Sequence, residues 1–159
     1  MSAQFDPNGF IEPVAAGAAP VGRLDARGPA DRLLVRTLRL WLLGPQQQAE
    51  AWSALSGEFG AAPARRALRA LEEFLGVLAE GARGPIWRHG PDCGCLGRDE
   101  ALLADAVSAA VRGDFNAASV ALAPLIRPEA RPAALGCAHR LGRALRAAPR
   151  RRSSGGWLH

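Results

Sequence analysis

The chain has no lysine, no tyrosine, one methionine and three cysteines in 159 residues. Without lysine there is no Schiff-base amine and no P-loop lysine, so both chemistries are excluded. No apolar run approaches the ~18 residues of a membrane-spanning helix, so no integral membrane protein is expected. An odd cysteine count fits poorly with a secreted disulfide framework. A Cys93–Cys95 disulfide would also close a very tight ring, so strain argues for free thiols. The N-terminus lacks a basic n-region, and Val14 to Val21 is too weakly apolar for a signal-peptide core. The expected compartment is therefore a reducing cytoplasm.

What the chain does have is arginine. All 20 basic residues are Arg, against 15 acids, for a net charge of +5. This bias, with many alanines and glycines, matches the coding habit of a GC-rich bacterial genome. The excess is concentrated near the end: Arg127 to Arg152 carries eight Arg and one acid, Glu129. Such a stretch attracts phosphates without sequence preference. The plainer reading is a solvated helix face followed by a frayed tail.

Hydrophobic periodicity is helical throughout the middle of the chain. Asp31 can cap a first helix carrying Leu33, Leu34, Leu38, Trp41 and Leu42. Gly44 ends it, and Pro45 opens a second helix from Gln46 to about Ser56. A turn is expected at Gly57–Gly60, and Pro63 opens the longest helix, to about Glu80. Its Leu68, Leu71, Leu75 and Leu78 share one face. A fourth helix begins near Asp99 and Glu100, acids suited to the positive end of a helix dipole. Those two adjacent acids point to different sides of a helix and read as surface charges. Asp114 can cap a fifth helix, Phe115 to about Ile126, which Pro124 can shorten. The last runs from Pro128 or Pro132 to about Ala147 and turns Leu135, Ala138, Leu141 and Leu145 inward. The spacing predicts no strand. The expected fold is all-α: a compact bundle of five or six short helices with flexible N- and C-terminal tails. The expected divisions are a disordered leader over 1–29, one helical domain over 30–148 and a flexible basic tail over 149–159.

The least generic segment is the loop RHGPDCGCLG, Arg88 to Gly97. Imidazole and thiolate are favoured zinc ligands, and glycine and proline let a backbone wrap closely around an ion. His89, Cys93 and Cys95 can supply three ligands from this loop. A fourth can come from the last helix, which carries Cys137 and His139. Residues two apart on a helix differ by roughly 200° in direction, so the two cannot both face one ion. Cys137 flanks the apolar stripe, four residues before Leu141, and His139 points away from it. The expected site is therefore His89, Cys93, Cys95 and Cys137, with Asp92 as an acceptor for the His89 ring. The spacing HxxxCxC with a distant cysteine is less specific than paired CxxC motifs. Copper(I) fits poorly without thioethers, and an iron–sulfur cluster would need His89 in place of a fourth thiolate.

Trp87-Arg88-His89, the CxCLGxDE stretch from Cys93 to Glu100 and Ile126-Arg127-Pro128 form a recognisable pattern with Arg39-Leu40-Trp41 and Gly44-Pro45. In this the chain, from about Leu38 to Leu145, resembles short uncharacterised bacterial helical proteins that share an HxxxCxCLGxDE segment. The resemblance implies that the loop acts as a unit, and it implies no activity.

The first functional expectation is a cytoplasmic helical protein with a structural metal, zinc, and a role in interaction or regulation, with a protein partner. A filled tetrahedral site leaves no position for a substrate, so turnover is not expected. The alternative is a nucleic-acid-binding module. Residues 46–80 can be drawn as a helix-turn-helix presenting Arg65, Arg66 and Arg69, with Arg140, Arg143, Arg150, Arg151 and Arg152 adding charge. A third reading makes Cys95, near His89 and ahead of a helix N-terminus, a reactive thiol or half of a redox pair.

Overall fold

Glycine and proline punctuate the helices of this computed structural model, which describes residues 16–147. Pro29 occupies the first turn of α1 (Pro29–Trp41), where its missing N–H costs nothing. Gly44, at φ 118°, makes the turn into α2 (Pro45–Phe59), again with proline at the start. Gly60, at φ 90°, joins α2 directly to α3 (Ala61–Gly81). A side chain with a Cβ would be strained at either glycine. The expected turn at Gly57 is absorbed into α2, because Leu55 and Phe59 continue its buried face. Pro63 lies inside the first turn of α3, where no intrahelical donor is lost.

A long loop then leads to α4 (Arg98–Val111), followed by α5 (Phe115–Leu122) and α6 (Arg131–Ala147). Asp114 caps α5 by accepting from Ala117 N–H at 3.0 Å. α5 ends before Pro124, and a 3₁₀ turn, Pro128–Ala130, precedes α6.

Residues 16–26, within the leader expected over 1–29, carry regular structure. They form a 3₁₀ turn at Ala16–Ala18, strand β1 (Pro20–Arg23) and a second 3₁₀ turn at Leu24–Ala26. Strand β1 pairs antiparallel with β2 (Cys95–Gly97), with Gly22 opposite Leu96 and Arg23 opposite Cys95. Bonds from Leu24 N–H to Gly94 O (2.9 Å) and Arg98 N–H to Ala19 O (3.0 Å) extend the pairing at both ends. Leu24 follows the strand into the core and is 2% exposed. Residues 1–15 and 148–159, which include the basic tail Arg150–Arg152, lie outside the described residues.

The core sits where α3 and α4 face α6. Phe74, Leu71, Leu78, Val107, Leu141 and Leu122 are all buried there. Each such side chain contributes roughly 1.5–3 kcal/mol relative to its exposed state. α4 and α6 approach closely at Gly142, where a Cβ would lie only 3.0 Å from Val107 Cγ1 and would also clash with Val111 Cγ2. The result is an all-α bundle of six helices among the described residues, with one two-stranded ladder closing over the loop before α4. No described helix is long and apolar enough to cross a membrane.

Candidate metal centre

The loop from Ala82 to Gly97 has almost no regular structure of its own, so other parts of the molecule must hold it. Its start is tied by Arg83 N–H to Leu125 O and by Arg127 N–H to Gly81 O. Its centre is held by one arginine. Arg39 of α1 is fully buried, as is its partner Glu100 in the first turn of α4. Arg39 Nε donates to Glu100 Oε1 at 2.7 Å, and Nη2 donates to Oε2 at 2.8 Å. The remaining donors reach three loop carbonyls: Cys93 O at 2.7 Å, Gly90 O at 3.2 Å and Cys95 O at 2.7 Å. All five guanidinium N–H groups thus have acceptors.

Glu100 is equally saturated. Besides Arg39, it accepts from His89 N–H at 3.0 Å and Gly97 N–H at 3.0 Å. The Gly97 bond is the N3 carboxylate reaching back to the helix N-cap. One ion pair thereby fixes the backbone at residues 89, 90, 93, 95 and 97. A buried pair is favourable only when its remaining hydrogen-bonding capacity is met, and here it is. Asp99 does the same nearby: it is 2% exposed and accepts from Trp87 N–H at 2.9 Å. Asp99 and Glu100 were expected on the surface; the loop folds over them because its amides need acceptors.

Burial raises the Glu100 carboxyl, but hydrogen bonds from Arg39, Gly97 and His89 and the Arg39 charge outweigh it, leaving a net downward shift. The folded form is then more acidic than the unfolded one. Its contribution to stability is full above the ordinary carboxylate value of about 4.3 and is lost as pH falls through the lower folded value. Urea unfolding across a pH series is expected to show stability falling at acid pH, with a flatter curve for Glu100→Gln.

The held loop brings three metal-ligand types together. One nitrogen of His89 and the sulfurs of Cys93 and Cys95 lie within 4.8 Å of one another. His89 is buried, and its Nε2 is 2.9 Å from Ala18 O. A carbonyl only accepts, so Nε2 is the donor in this contact, which leaves Nδ1 as the nitrogen that could ligate an ion. Ala18, from the expected leader, takes the orienting role predicted for Asp92, which is exposed. Both cysteines are half-buried, and Cys95 N–H donates to Cys93 Sγ at 3.4 Å.

Cys93 and Cys95 form a disulfide in this structure, against the expectation of free thiols. The chain bends at Gly94, so the two Cα atoms are 5.4 Å apart, within the usual bridging range. The three residues could hold a metal ion once that bond is reduced, since thiolate is the ligating form.

Cys137 does not belong to this group. It is buried in the hydrophobic core on α6, and Arg140 Nη2 lies 3.3 Å from its sulfur. Its helical position beside Leu141 directs it into the packing between helices, not toward the loop. His139 is engaged elsewhere, with Nδ1 at 2.9 Å from Ala110 O and its ring 5.9 Å from that of Phe115.

The arginines of the alternative reading are spread over α3 and α6. Arg65, Arg66, Arg69, Arg140 and Arg143 are exposed. Arg65 lies over the Trp52 ring at 6.0 Å, and Arg140 sits 3.5 Å from Glu73. α2 and α3 meet through Gly60 alone, a tighter join than the 3–4-residue turn of a helix-turn-helix.

The residues that sequence reasoning missed are Arg39, Asp99, Glu100 and Ala18. A signal for the first was present. Arg39 lies four residues after Val35 and next to Leu38, on the buried face of α1, where an unpaired charge is costly. Comparison with protein-family models, with curated proteins and with solved structures finds no match.

Proposed function

We propose that the reduced protein binds one zinc ion through His89 Nδ1, Cys93 Sγ and Cys95 Sγ, and that the ion serves an interaction or regulatory role. The observation that carries this reading is the convergence of an imidazole and two sulfurs within 4.8 Å on a loop held by buried charges. Three further features support it. The soft, nitrogen-plus-sulfur donor set suits zinc. The His89 ring is oriented through its other nitrogen by a backbone carbonyl, as metal-bound imidazoles commonly are. The supporting backbone is fixed before an ion arrives, which lowers the ordering cost of binding. With three ligands among the described residues, the fourth position of a tetrahedral ion goes to a donor outside them, to water or to a donor on a partner. A partner donor would make the site a point of contact between proteins.

The expected result is one zinc per reduced chain by elemental analysis after desalting, and none in the oxidised chain. Reduced protein that retains no zinc, with Cys93 and Cys95 titrating freely in its presence, would overturn the reading.

A further inference from the structure

The disulfide and the space beside it support a second chemistry, which does not rest on metal binding. A cavity of about 500 Å³ opens at Cys93. This is a size that small-molecule sites commonly have. Arg23, Arg36, Asp25, Glu50 and Asp92 contribute charges of both signs to its lining, and Cys93 is the cysteine that reaches it. Both cysteines are half-buried and both carbonyls are held by Arg39, but Cys95 lies in β2 opposite Arg23 and is not part of the cavity lining. Of the two bonded residues, Cys93 is the one that a molecule in the cavity meets.

We infer that the Cys93–Cys95 pair exchanges with a low-molecular-weight thiol bearing both ammonium and carboxylate groups, which enters this cavity and reacts at Cys93.

The steps balance as follows. The incoming thiolate attacks Cys93 Sγ along the S–S bond. That bond breaks, and its electron pair leaves with Cys95 Sγ. A mixed disulfide joins the small thiol to Cys93, and the Cys95 thiolate takes a proton from water. A second thiolate attacks the sulfur of the bound small molecule, releasing its symmetric disulfide and the Cys93 thiolate. The Cys95 N–H, 3.4 Å from Cys93 Sγ in the structure, is placed to favour negative charge on that leaving sulfur. Overall, two small thiols are oxidised to one disulfide and the protein disulfide is reduced to two thiols. The reverse direction oxidises the protein and reduces the small disulfide.

The probe is glutathione, a peptide thiol with both charge types, on the full chain with a chelator present. In Cys95→Ser, oxidised glutathione is expected to give one adduct per chain at Cys93 by peptide mass mapping. In Cys93→Ser, the adduct at Cys95 is expected to form about tenfold more slowly or worse. The wild-type disulfide supplies a readout that needs no variant. Per thiolate, its reduction by glutathione is expected to exceed that by uncharged mercaptoethanol by about tenfold, which corresponds to about 1.4 kcal/mol of added contact between the charged lining and the charged thiol. Equal rates with the two thiols, or equal labelling of Cys93 and Cys95, would overturn the inference. Loss of zinc uptake would leave these readouts unchanged, so the two proposals fail separately.

Discussion

Replacing Arg39 by methionine is expected to destabilise the protein by about 3–5 kcal/mol, the usual cost of breaking a fully buried ion pair by removing one partner. The reason is specific to this site. Glu100 would lose its counter-charge in an interior position, with only the His89 and Gly97 amides left to it. The carbonyls of Gly90, Cys93 and Cys95 would lose their donor at the same time. Each buried group left unsatisfied costs roughly 1–3 kcal/mol. Urea unfolding measures the change, and the companion readout is zinc affinity of the reduced variant. The double variant Arg39→Met with Glu100→Leu separates the two consequences. Removing both charges should restore only the part of the loss that comes from an uncompensated buried charge, since the loop groups that Arg39 and Glu100 satisfied stay unpaired. It should not restore zinc affinity, since the loop amides and carbonyls stay unheld; a loss of about 10–100-fold is expected for such supporting groups. A single Arg39→Met change that leaves stability within about 0.5 kcal/mol, the range of an ordinary surface substitution, would refute this role.

The second large effect concerns the ligands themselves. Structural zinc binding is worth about 10–16 kcal/mol across four ligands, so one ligand carries roughly 3 kcal/mol, or a hundredfold or more in affinity. Cys93→Ser, Cys95→Ser and His89→Asn are each expected to weaken zinc binding by about that factor in competition with a chromophoric chelator. Cys137→Ser is expected to leave it unchanged, because Cys137 is packed in the core on α6, outside the ligand group. This control also separates a specific site from zinc held loosely by any thiol.

The helical frame was legible because its signals are local. The stripe of Leu68, Leu71 and Leu78, the Gly44-Pro45 junction and the Asp114 cap each express themselves within a few residues. The ligand types in the loop were legible for the same reason: His89, Cys93 and Cys95 lie within seven residues of sequence. What holds the loop was not. Arg39 meets Glu100 across 61 positions, and Ala18 meets His89 across 71. Such pairings depend on which faces the helices present to one another, which periodicity alone does not specify. Strand β1 is four residues long and contains proline and glycine, so it carries no alternation to detect. It exists because β2 offers a partner edge. Cys137 shows the converse limit. The helical wheel correctly put it near the apolar stripe, but a position on that stripe leads into the core as readily as toward a ligand site.

The most direct test is zinc-edge X-ray absorption on the reduced, zinc-loaded protein. Two sulfurs at about 2.3 Å and at least one imidazole nitrogen at about 2.0–2.1 Å are expected around the ion. A first shell of oxygen alone, or one with a third sulfur that disappears in Cys137→Ser, would contradict a centre built from His89, Cys93 and Cys95.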